Sequence, residues 1–414
     1  MTGYIKKGTP QYWKAISALF LGTLACFGVI YCTQPLIPVF SREFALTPSV
    51  ASLAMSFTSG GMAISMLAIA CLAGLLDRKI TMAVSLSGAA LLMVVVVYSS
   101  DFTTILICRA AQGVLIAGFP AIAMAYINEE FEPEITGLVI GIYISGTSIG
   151  GLCARLLVST ITDFFSWKAA LASVGVLGFL ISIWFCFAIP KSKHFLPQKQ
   201  LPPNITGDLL QNLRNPVIIR LYLIAFSIMG CFMAIYNYIG YPLMAPPYNL
   251  SQTAIGGLFT LYLIGTFSST FMGGMADRFG NAQILCISIL IMLCGGVITL
   301  MPSLVVKIFG LATFTFGFFG SHSAACSWVG KCCLGDKARA ASLYLLFYYV
   351  GASVIGTAGG VFLSYYGWAG IIFLIGIILG GAILLSAKLF AITRSYSASE
   401  NYSIKTKKLQ ESGK

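Results

Sequence analysis

The sequence has few charged residues: 9% of its 414 residues are Asp, Glu, Lys or Arg, where an ordinary soluble domain has about 25%. Only 13 residues are acidic, while 58% are hydrophobic, and the mean hydropathy is +0.89. This composition excludes an ordinary cytosolic enzyme, an intrinsically disordered chain and a secreted disulfide scaffold. Lipid must therefore cover much of the surface.

Several functional motifs are missing as well. The 12 cysteines form no CxxC pair and no Cys/His cluster with zinc spacing, and there is no phosphate-binding glycine loop. No His/Asp/Glu cluster occurs at membrane depth, so we expect neither an enzyme nor a bound cofactor or metal. The net charge is +12, but the basic residues are scattered between apolar runs, which argues against nucleic acid as a partner.

Long apolar runs dominate what is present. About 20 apolar residues cross a bilayer as a helix, and twelve such runs predict an all-α membrane protein with twelve transmembrane helices. Their predicted limits are 14–40, 49–76, 80–99, 103–128, 136–161, 168–189, 216–242, 252–275, 282–301, 304–328, 340–365 and 368–391. We read the first run as a retained helix, since no small-residue cleavage site follows it.

The orientation follows from the basic residues of the short loops. Most of the 25 Lys and Arg residues fall on the side of the membrane that holds the N-terminus. Because cytoplasmic loops are enriched in these residues, we expect both termini in the cytoplasm.

The chain divides into two similar halves. Its longest polar interruption predicts an N-terminal six-helix bundle at 1–189, a cytoplasmic linker at 190–215, a C-terminal six-helix bundle at 216–391 and a cytoplasmic tail at 392–414. Three segments of the first half recur in order in the second half, at a nearly constant offset: 31–37 as 238–244, 45–47 as 249–251, and 146–149 as 351–354. Such repeats are typical of transporters whose two bundles rock about a central site.

The sequence resembles the major facilitator superfamily. That family's Gly-x-Leu-Ala-Asp-Arg-x-Gly-Arg signature has a good copy at Gly273–Asn281, including Asp277 and Arg278, and a shortened copy at Gly74–Lys79, including Asp77 and Arg78. From this resemblance we expect gating roles for Gly74, Asp77, Arg78, Gly273, Asp277 and Arg278.

Two more motifs resemble those of drug exporters. Residues 109–113 read Arg-Ala-Ala-Gln-Gly, and residues 146–151 match the antiporter motif, with Thr147 where proline is usual. Stretches along nearly the whole chain are similar to the YnfM-type branch of bacterial inner-membrane transporters, which is related to acriflavine-sensitivity and arabinose-efflux proteins. The resemblance implies a multi-pass inner-membrane transporter that works as a monomer and moves a small molecule.

Two arginines are predicted to lie inside the membrane, where a charge is costly and often functional. The motif around Arg109 favours a cation that binds substrate or couples to proton movement, although a snorkelling arginine is the alternative. Arg155 lies eight residues before Asp163. We expect both residues to have a structural role.

No acidic residue falls in the middle of a predicted span, although many proton antiporters use one there. His322 in the tenth span is the best candidate for proton coupling, since imidazole titrates near neutral pH. The alternative is a neutral histidine that only bonds its neighbours.

Polar residues of the first and seventh spans are the predicted substrate contacts. Prolines break the outer ends of both helices, which is tolerated where helices line a wet cavity. Together with Arg109, the predicted substrate-binding residues are Tyr31, Gln34, Asn237, Tyr238 and Tyr241. Anchoring of the aromatic rings at the membrane interface is the alternative.

The fifth span has small residues at spacings near four, including Gly146, Gly150 and Gly151. Small residues let helix backbones touch. We expect these three to act in gating, as sliding contacts between the two bundles.

The favoured function is secondary active efflux of a drug-like or sugar-like small molecule by alternating access, driven by protons. Two membrane arginines also fit a rival, an importer of small organic anions. A non-transporting membrane sensor is a further alternative, disfavoured because no sizeable soluble domain is present.

Overall fold

The computed structural model describes residues 3–195, 205–333 and 337–412. Residues 196–204 of the predicted linker and 413–414 of the predicted tail lie outside this part. Within it, β pairing is limited to one bridge between Ile5 and Phe131. The chain is otherwise helices and their connections, which confirms the all-α fold.

Eleven continuous helices in the described residues are long and apolar enough to span a membrane. The last of them contains two spans, because Gly367 leaves the helical conformation at φ 61°. Twelve spans result, as predicted: α1 Pro10–Glu43, α2 Pro48–Leu72, α3 Arg78–Tyr98, α4 Phe102–Glu130, α5 Pro133–Phe164, α6 Trp167–Ala188, α7 Pro216–Met244, α8 Gln252–Phe279, α9 Asn281–Ile298, α10 Leu304–Cys332, α11 337–366 and α12 368–412.

Short polar side chains fix where several of these helices begin. Asp77 accepts a hydrogen bond from the Ile80 N–H at 2.8 Å at the start of α3, and Asp101 accepts one from the Thr104 N–H at 2.7 Å at the start of α4. Such caps satisfy backbone donors that the first helical turn leaves free. In the second half, Asn215 caps α7 in the same way.

Close glycine contacts hold helices together inside each half. A Cβ added to Gly150 of α5 would lie 2.5 Å from the Leu24 carbonyl oxygen of α1. A Cβ added to Gly351 of α11 would lie 2.1 Å from the Phe226 carbonyl oxygen of α7. The repeated glycine motif thus packs α5 on α1 and α11 on α7.

The expectation that Gly146 and Gly150 lie between the bundles is therefore wrong for this conformation. A Cβ on Gly146 would meet the Phe20 carbonyl oxygen of α1, also in the first half. Glycine contacts between the halves occur elsewhere, at Gly360 against Ser49 and at Gly256 against Ser159. Any gating role of Gly146, Gly150 and Gly151 stays a prediction.

The two ends of the molecule differ. At the end that holds the N-terminus, the Ile5 N–H donates to the Glu130 carbonyl, so the N-terminal segment packs on the α4–α5 connection of its own half. At the opposite end, the end of α1 meets α7, the start of α2 meets α11, and the end of α5 meets α8. We call this second region the gate end.

The outer surface is apolar, as lipid contact requires. The pocket of about 740 Å³ between α3 and α4 is lined by Gly88, Ala111 and aliphatic side chains such as Leu91 and Val114. Leu91 and Val114 are exposed. Since the pocket has no polar group to orient a solute, we assign it to lipid and look for the functional site between the halves.

Candidate functional site

Arg109 is completely buried, and each of its three guanidinium nitrogens has a partner inside the first half. Nε donates to the Ala54 carbonyl at 3.1 Å, Nη1 to the Val29 carbonyl at 2.9 Å, and Nη2 to the Ile30 carbonyl at 2.8 Å. Nη1 also donates to Oε1 of Gln112 at 2.8 Å. In this conformation Arg109 ties α4 to α1 and α2. Its predicted binding and coupling roles stay untested predictions.

Arg155 is also buried, with 2% of its surface exposed, but its surroundings are different. Nε donates to Oε1 of Gln34 at 2.8 Å, and Nη1 donates to the Gly151 carbonyl at 3.0 Å. The guanidinium carbon lies 4.1 Å from the Tyr31 ring centre and 4.8 Å from those of Phe259 and Tyr262. Aromatic rings of α1 and α8 thus surround a cation of α5, so the site draws on both halves.

We call Tyr31, Gln34, Arg155, Phe259 and Tyr262 the Arg155 cluster. It continues through aromatic rings of α10, because the Tyr262 ring is centred 6.1 Å from that of Phe319 and the Phe319 ring is centred 5.1 Å from that of Phe318. The His322 ring of α10 is centred 4.8 Å from that of Tyr348. Since the His322 ring also stacks on Phe318, a path of aromatic rings connects Arg155 with His322.

His322 itself bonds a neighbouring helix. Its Nδ1 lies 2.9 Å from the Tyr344 hydroxyl, and its ring stacks on Phe318 with an interplanar angle of 7°. This contact is compatible with both alternatives for His322, a proton carrier and a neutral histidine that only bonds its neighbours. The coupling role stays a prediction.

A second feature is the chain of amides that crosses between the halves. Gln34 of α1, which accepts from Arg155, donates through Nε2 to Oδ1 of Asn237 in α7 at 2.9 Å. Gln34 and Asn237 are each 1% exposed. The Asn237 Nδ2 has no hydrogen-bond partner within the described part of the chain. The structure thus brings together three predicted substrate contacts, Tyr31, Gln34 and Asn237, around an arginine for which we predicted a structural role.

The remaining two predicted substrate contacts bridge the halves nearby. The Tyr238 hydroxyl donates to Oγ of Ser52 at 2.8 Å, and the Tyr241 hydroxyl lies 2.5 Å from Oγ of Ser41. Both tyrosines belong to α7, and both serines belong to the first half. In this conformation the two hydroxyls therefore hold the gate end closed.

Helices α2 and α11 form a hydroxyl seam that the sequence analysis missed. Ser56 Oγ lies 2.7 Å from Thr357 Oγ1, and Ser59 Oγ lies 3.0 Å from Ser353 Oγ. On α2, the serines at positions 49, 52, 56 and 59 recur every three or four residues and so share one helix face. That spacing was a usable signal for a polar helix contact.

Asp163 makes a further contact between the halves. Its Oδ2 accepts from the N–H and the hydroxyl of Thr253, at 3.1 and 2.7 Å. The carboxylate of α5 therefore lies at the first turn of α8, where the positive end of the helix dipole stabilises it. Arg155 and Asp163 form no ion pair with each other among the described contacts.

The two signature segments lie at the other end and have different partners. In the first half, Arg78 forms a bidentate ion pair with Glu129, at 3.0 and 2.6 Å, and Gly74 lies in the short 3-10 helix Ala73–Leu75. In the second half, Asp277 pairs with Lys331 at 3.0 Å.

The rest of the second-half signature also contacts its own half, where Asn281 accepts from Lys331 and donates to the Ala324 carbonyl. Gly273 lies on α8 near Ser323, and Arg278 stacks on the adjacent Phe279 ring at 5.3 Å. Each signature thus tethers its own half. The predicted gating roles of these residues are not tested by this conformation.

A metal site has no support in the described residues, where no group of three or more His, Cys, Asp or Glu side chains could hold an ion. The polar groups of the Arg155 cluster are instead one guanidinium, one amide and two tyrosine hydroxyls, and the Asn237 amide bonds the cluster from the other half. Such groups can orient a small solute and stack on its rings.

Comparison with known proteins gives a consistent result. The sequence matches the profile of the Major Facilitator Superfamily over residues 19–241 and 237–409. It is 42% identical to the uncharacterized MFS-type transporter YybF of Bacillus subtilis (strain 168), over 93% of this chain and 96% of that protein. It is 38% identical to the inner membrane transport protein YnfM of Escherichia coli (strain K12), over 93% of each.

The fold is shared with solved transporters. A bacterial homologue of the human lysosomal transporter Spinster, in an inward-facing and occupied conformation, aligns with a TM-score of 0.73 at 15% identity. The alignment covers 94% of this chain and 98% of that one. At this identity, the likeness concerns the fold alone.

Proposed function

The chain belongs to the major facilitator superfamily and to its YnfM-type branch, and from that premise we propose that it is a secondary active exporter of a small molecule. It is a multi-pass inner-membrane protein and a transporter, like its relatives. The proposal adds alternating access, proton coupling and outward direction.

One observation carries the proposal: side-chain hydrogen bonds join the two halves at the gate end. Gln34–Asn237, Ser41–Tyr241 and Asp163–Thr253 each connect one half to the other. Net contributions of about 0.5–1.5 kcal/mol are usual for such bonds. A few such bonds can therefore break and re-form as the halves rock, because the free-energy difference between the two conformations stays small.

The direction of opening follows from the orientation of the chain. With both termini in the cytoplasm, as the basic residues predict, the closed gate end faces outward, and an opening at the opposite end would expose the Arg155 cluster to the cytoplasm. This state would load a cytoplasmic substrate for export. The exporter-like motif at Arg109 supports that direction.

Protons are the proposed driving ion, and His322 is the proposed carrier. It is half-buried, and its ring lies at the end of the aromatic path from Arg155. A proton on His322 would add a second positive charge to a region that already holds Arg155. Protonation and release of a cation, or uptake of an anion, would then be linked electrostatically.

The test is a flux measurement on the purified full chain in liposomes, with and without an imposed pH gradient. Three solutes represent the candidate classes: chloramphenicol for drug-like compounds, L-arabinose for sugars and benzoate for organic anions. We expect at least one of them to move faster than in empty liposomes, and faster still with the gradient. If none moves in either condition, the proposal is rejected.

A second candidate function, import of small organic anions, has one specific observation in its favour, the buried cation Arg155. The sign of the pH-gradient effect separates the two. Accumulation inside right-side-out vesicles that are more acidic outside indicates proton-coupled import, whereas loss from them indicates export.

A further inference from the structure

We propose that Arg155 is the anchor for a negatively charged group of the cargo, so that this transporter carries a small organic anion with an apolar or aromatic body. The inference deepens the proposed function, because it rests on the chain being a transporter, but it does not depend on direction or driving ion. It also gives Arg155 a different role from the structural one expected from the sequence.

The first argument is the count of hydrogen-bond donors. A guanidinium has five N–H groups in a planar fork and cannot lose its charge in a protein. Nε and Nη1 of Arg155 each have one partner, whereas Nη2 has none among the described residues. Nη2 is also absent from the fully enclosed unpaired atoms, so it borders open space. One edge of the fork is therefore unpaired, and only a small part of it is uncovered, since Arg155 is 2% exposed.

Arg109 shows how a buried arginine can be fully hydrogen-bonded in the same fold. It is at least as buried, yet all three of its nitrogens donate to carbonyl or amide oxygens. Packing alone can thus satisfy a buried guanidinium in this protein. The free Nη2 of Arg155 is for that reason a specific feature of its site.

The second argument is the missing counter-charge. The described ion pairs use Glu129, Glu130, Glu132 and Asp277, none of them with Arg155. Asp163, the acid nearest in sequence on α5, bonds Thr253 instead. An uncompensated buried charge is strongly unfavourable. A carboxylate or phosphate on the cargo would supply the missing charge and accept a hydrogen bond from Nη2.

The third argument is the shape of the surroundings. Tyr31, Phe259 and Tyr262 contact the guanidinium through their rings, which stabilises the cation but leaves its N–H edge available. Two other donors of the region, Tyr262 Oη and Asn237 Nδ2, have no partner within the described chain. Aromatic rings beside free donors suit an anion with a flat or apolar body.

The site is also connected to the gate end. Gln34 accepts from Nε of Arg155 and donates to Asn237 of the other half. An anion that draws the guanidinium toward itself competes with Gln34 for that nitrogen. Cargo charge is thereby linked to a bond that must break when the gate end opens.

The experiment compares an anion with its uncharged isostere on the purified full chain. The probe pairs are benzoate and benzamide, 4-hydroxyphenylacetate and its amide, and phenyl phosphate and phenol. The readout is the unfolding temperature in detergent as a function of probe concentration. We expect at least one anion to raise the unfolding temperature in a saturable way, and its neutral partner to need a concentration about tenfold higher or more.

Variants then locate the effect. Arg155→Gln is expected to weaken the anion about tenfold or more and to leave the neutral probe unchanged. Lys168→Gln is the matched control: it removes one positive charge from an exposed side chain of α6 and should change neither probe. If Arg155→Gln does not fold, Arg155→Lys keeps the charge but loses the planar fork, and should retain the preference for anions with weaker binding.

Three results would overturn the proposal: no stabilisation by any anion, equal stabilisation by the neutral partners, or undiminished anion binding by a folded Arg155→Gln. These are distinct from a failure of transport. Flux of a neutral solute that is unaffected by Arg155→Gln would reject the anion site and keep the transporter. Anion binding through Arg155 without flux of any solute would keep the anion site and reject the transporter.

Discussion

Gln34 and Asn237 form a hydrogen bond of 2.9 Å that joins the first half of the chain to the second. Gln34 lies within the repeated segment 31–37, and Asn237 directly precedes its counterpart, 238–244. Because Gln34 also accepts from Arg155 at 2.8 Å, one amide contacts both the proposed anion site and the opposite half. We therefore regard it as the connection between cargo and gate.

Replacing Gln34 with Leu should weaken the closed gate end. The variant loses the bonds to Asn237 and Arg155 but keeps a similar side-chain volume, so the outward-open population should rise severalfold. The measurement is the rate at which a membrane-impermeant maleimide modifies a cysteine placed at Ser52, which bonds Tyr238 in the closed gate. Asn128→Ala, an exposed change at the other end, is the control and should leave the rate unchanged.

Arg109 should matter for folding more than for binding. Arg109→Met removes hydrogen bonds to three buried carbonyls of α1 and α2, and each bond from a charged donor contributes about 1.5–3 kcal/mol. We expect a large loss of folded protein and a lower unfolding temperature. A variant that folds with unchanged stability but no longer transports would instead place Arg109 in the binding site, as the sequence motif suggested.

The glycine contacts inside each half predict a position-specific response to one added methyl group. Gly351→Ala should cost about 1–3 kcal/mol, because the new Cβ would lie 2.1 Å from the Phe226 carbonyl oxygen. Gly376→Ala on α12 has open space around it and should change the unfolding temperature little. Equal effects at the two positions would contradict the close packing of α11 on α7.

His322 should affect proton-driven movement without affecting exchange. His322→Gln keeps a polar group near Tyr344 but cannot change its charge with pH. If His322 carries the proton, pH-driven flux falls at least about tenfold, while exchange of cargo at equal pH on both sides continues. An unchanged pH-driven rate in the variant would show that another group carries the proton.

The fold could be predicted from the sequence because lipid enforces it: each backbone polar group in the membrane must be satisfied within its helix, so long apolar runs have one solution. The site was only partly predictable. Tyr31, Gln34 and Asn237 stood out as polar residues in the two spans whose outer ends contain prolines. The difference between Arg109 and Arg155 could not be predicted, because their partners lie on other helices. Neither the carbonyls around Arg109 nor the Tyr262 ring beside Arg155 can be identified from the local sequence.

The sharpest error concerned the glycines of α5, whose spacing indicates close packing but not the identity of the partner helix. The spacing of the serines on α2 is a better indicator of contacts between the halves than the spacing of the glycines on α5, because two of these serines bond α11. The boundaries predicted for the two bundles, linker and tail stay predictions.

The central claim, that the halves rock about the Arg155 cluster, is tested most directly by two distances measured by pulsed electron spin resonance. One spin-label pair, at Glu43 and Ala245, reports on the gate end, and the other, at Asn128 and Gly330, reports on the opposite end; all four positions are exposed. Cys153, Cys294 and Cys326, the cysteines that are exposed where the structure describes them, are replaced first. Changing pH or adding a bound anion should lengthen the first distance and shorten the second. If both distances stay fixed, or change in the same direction, the two halves do not alternate access.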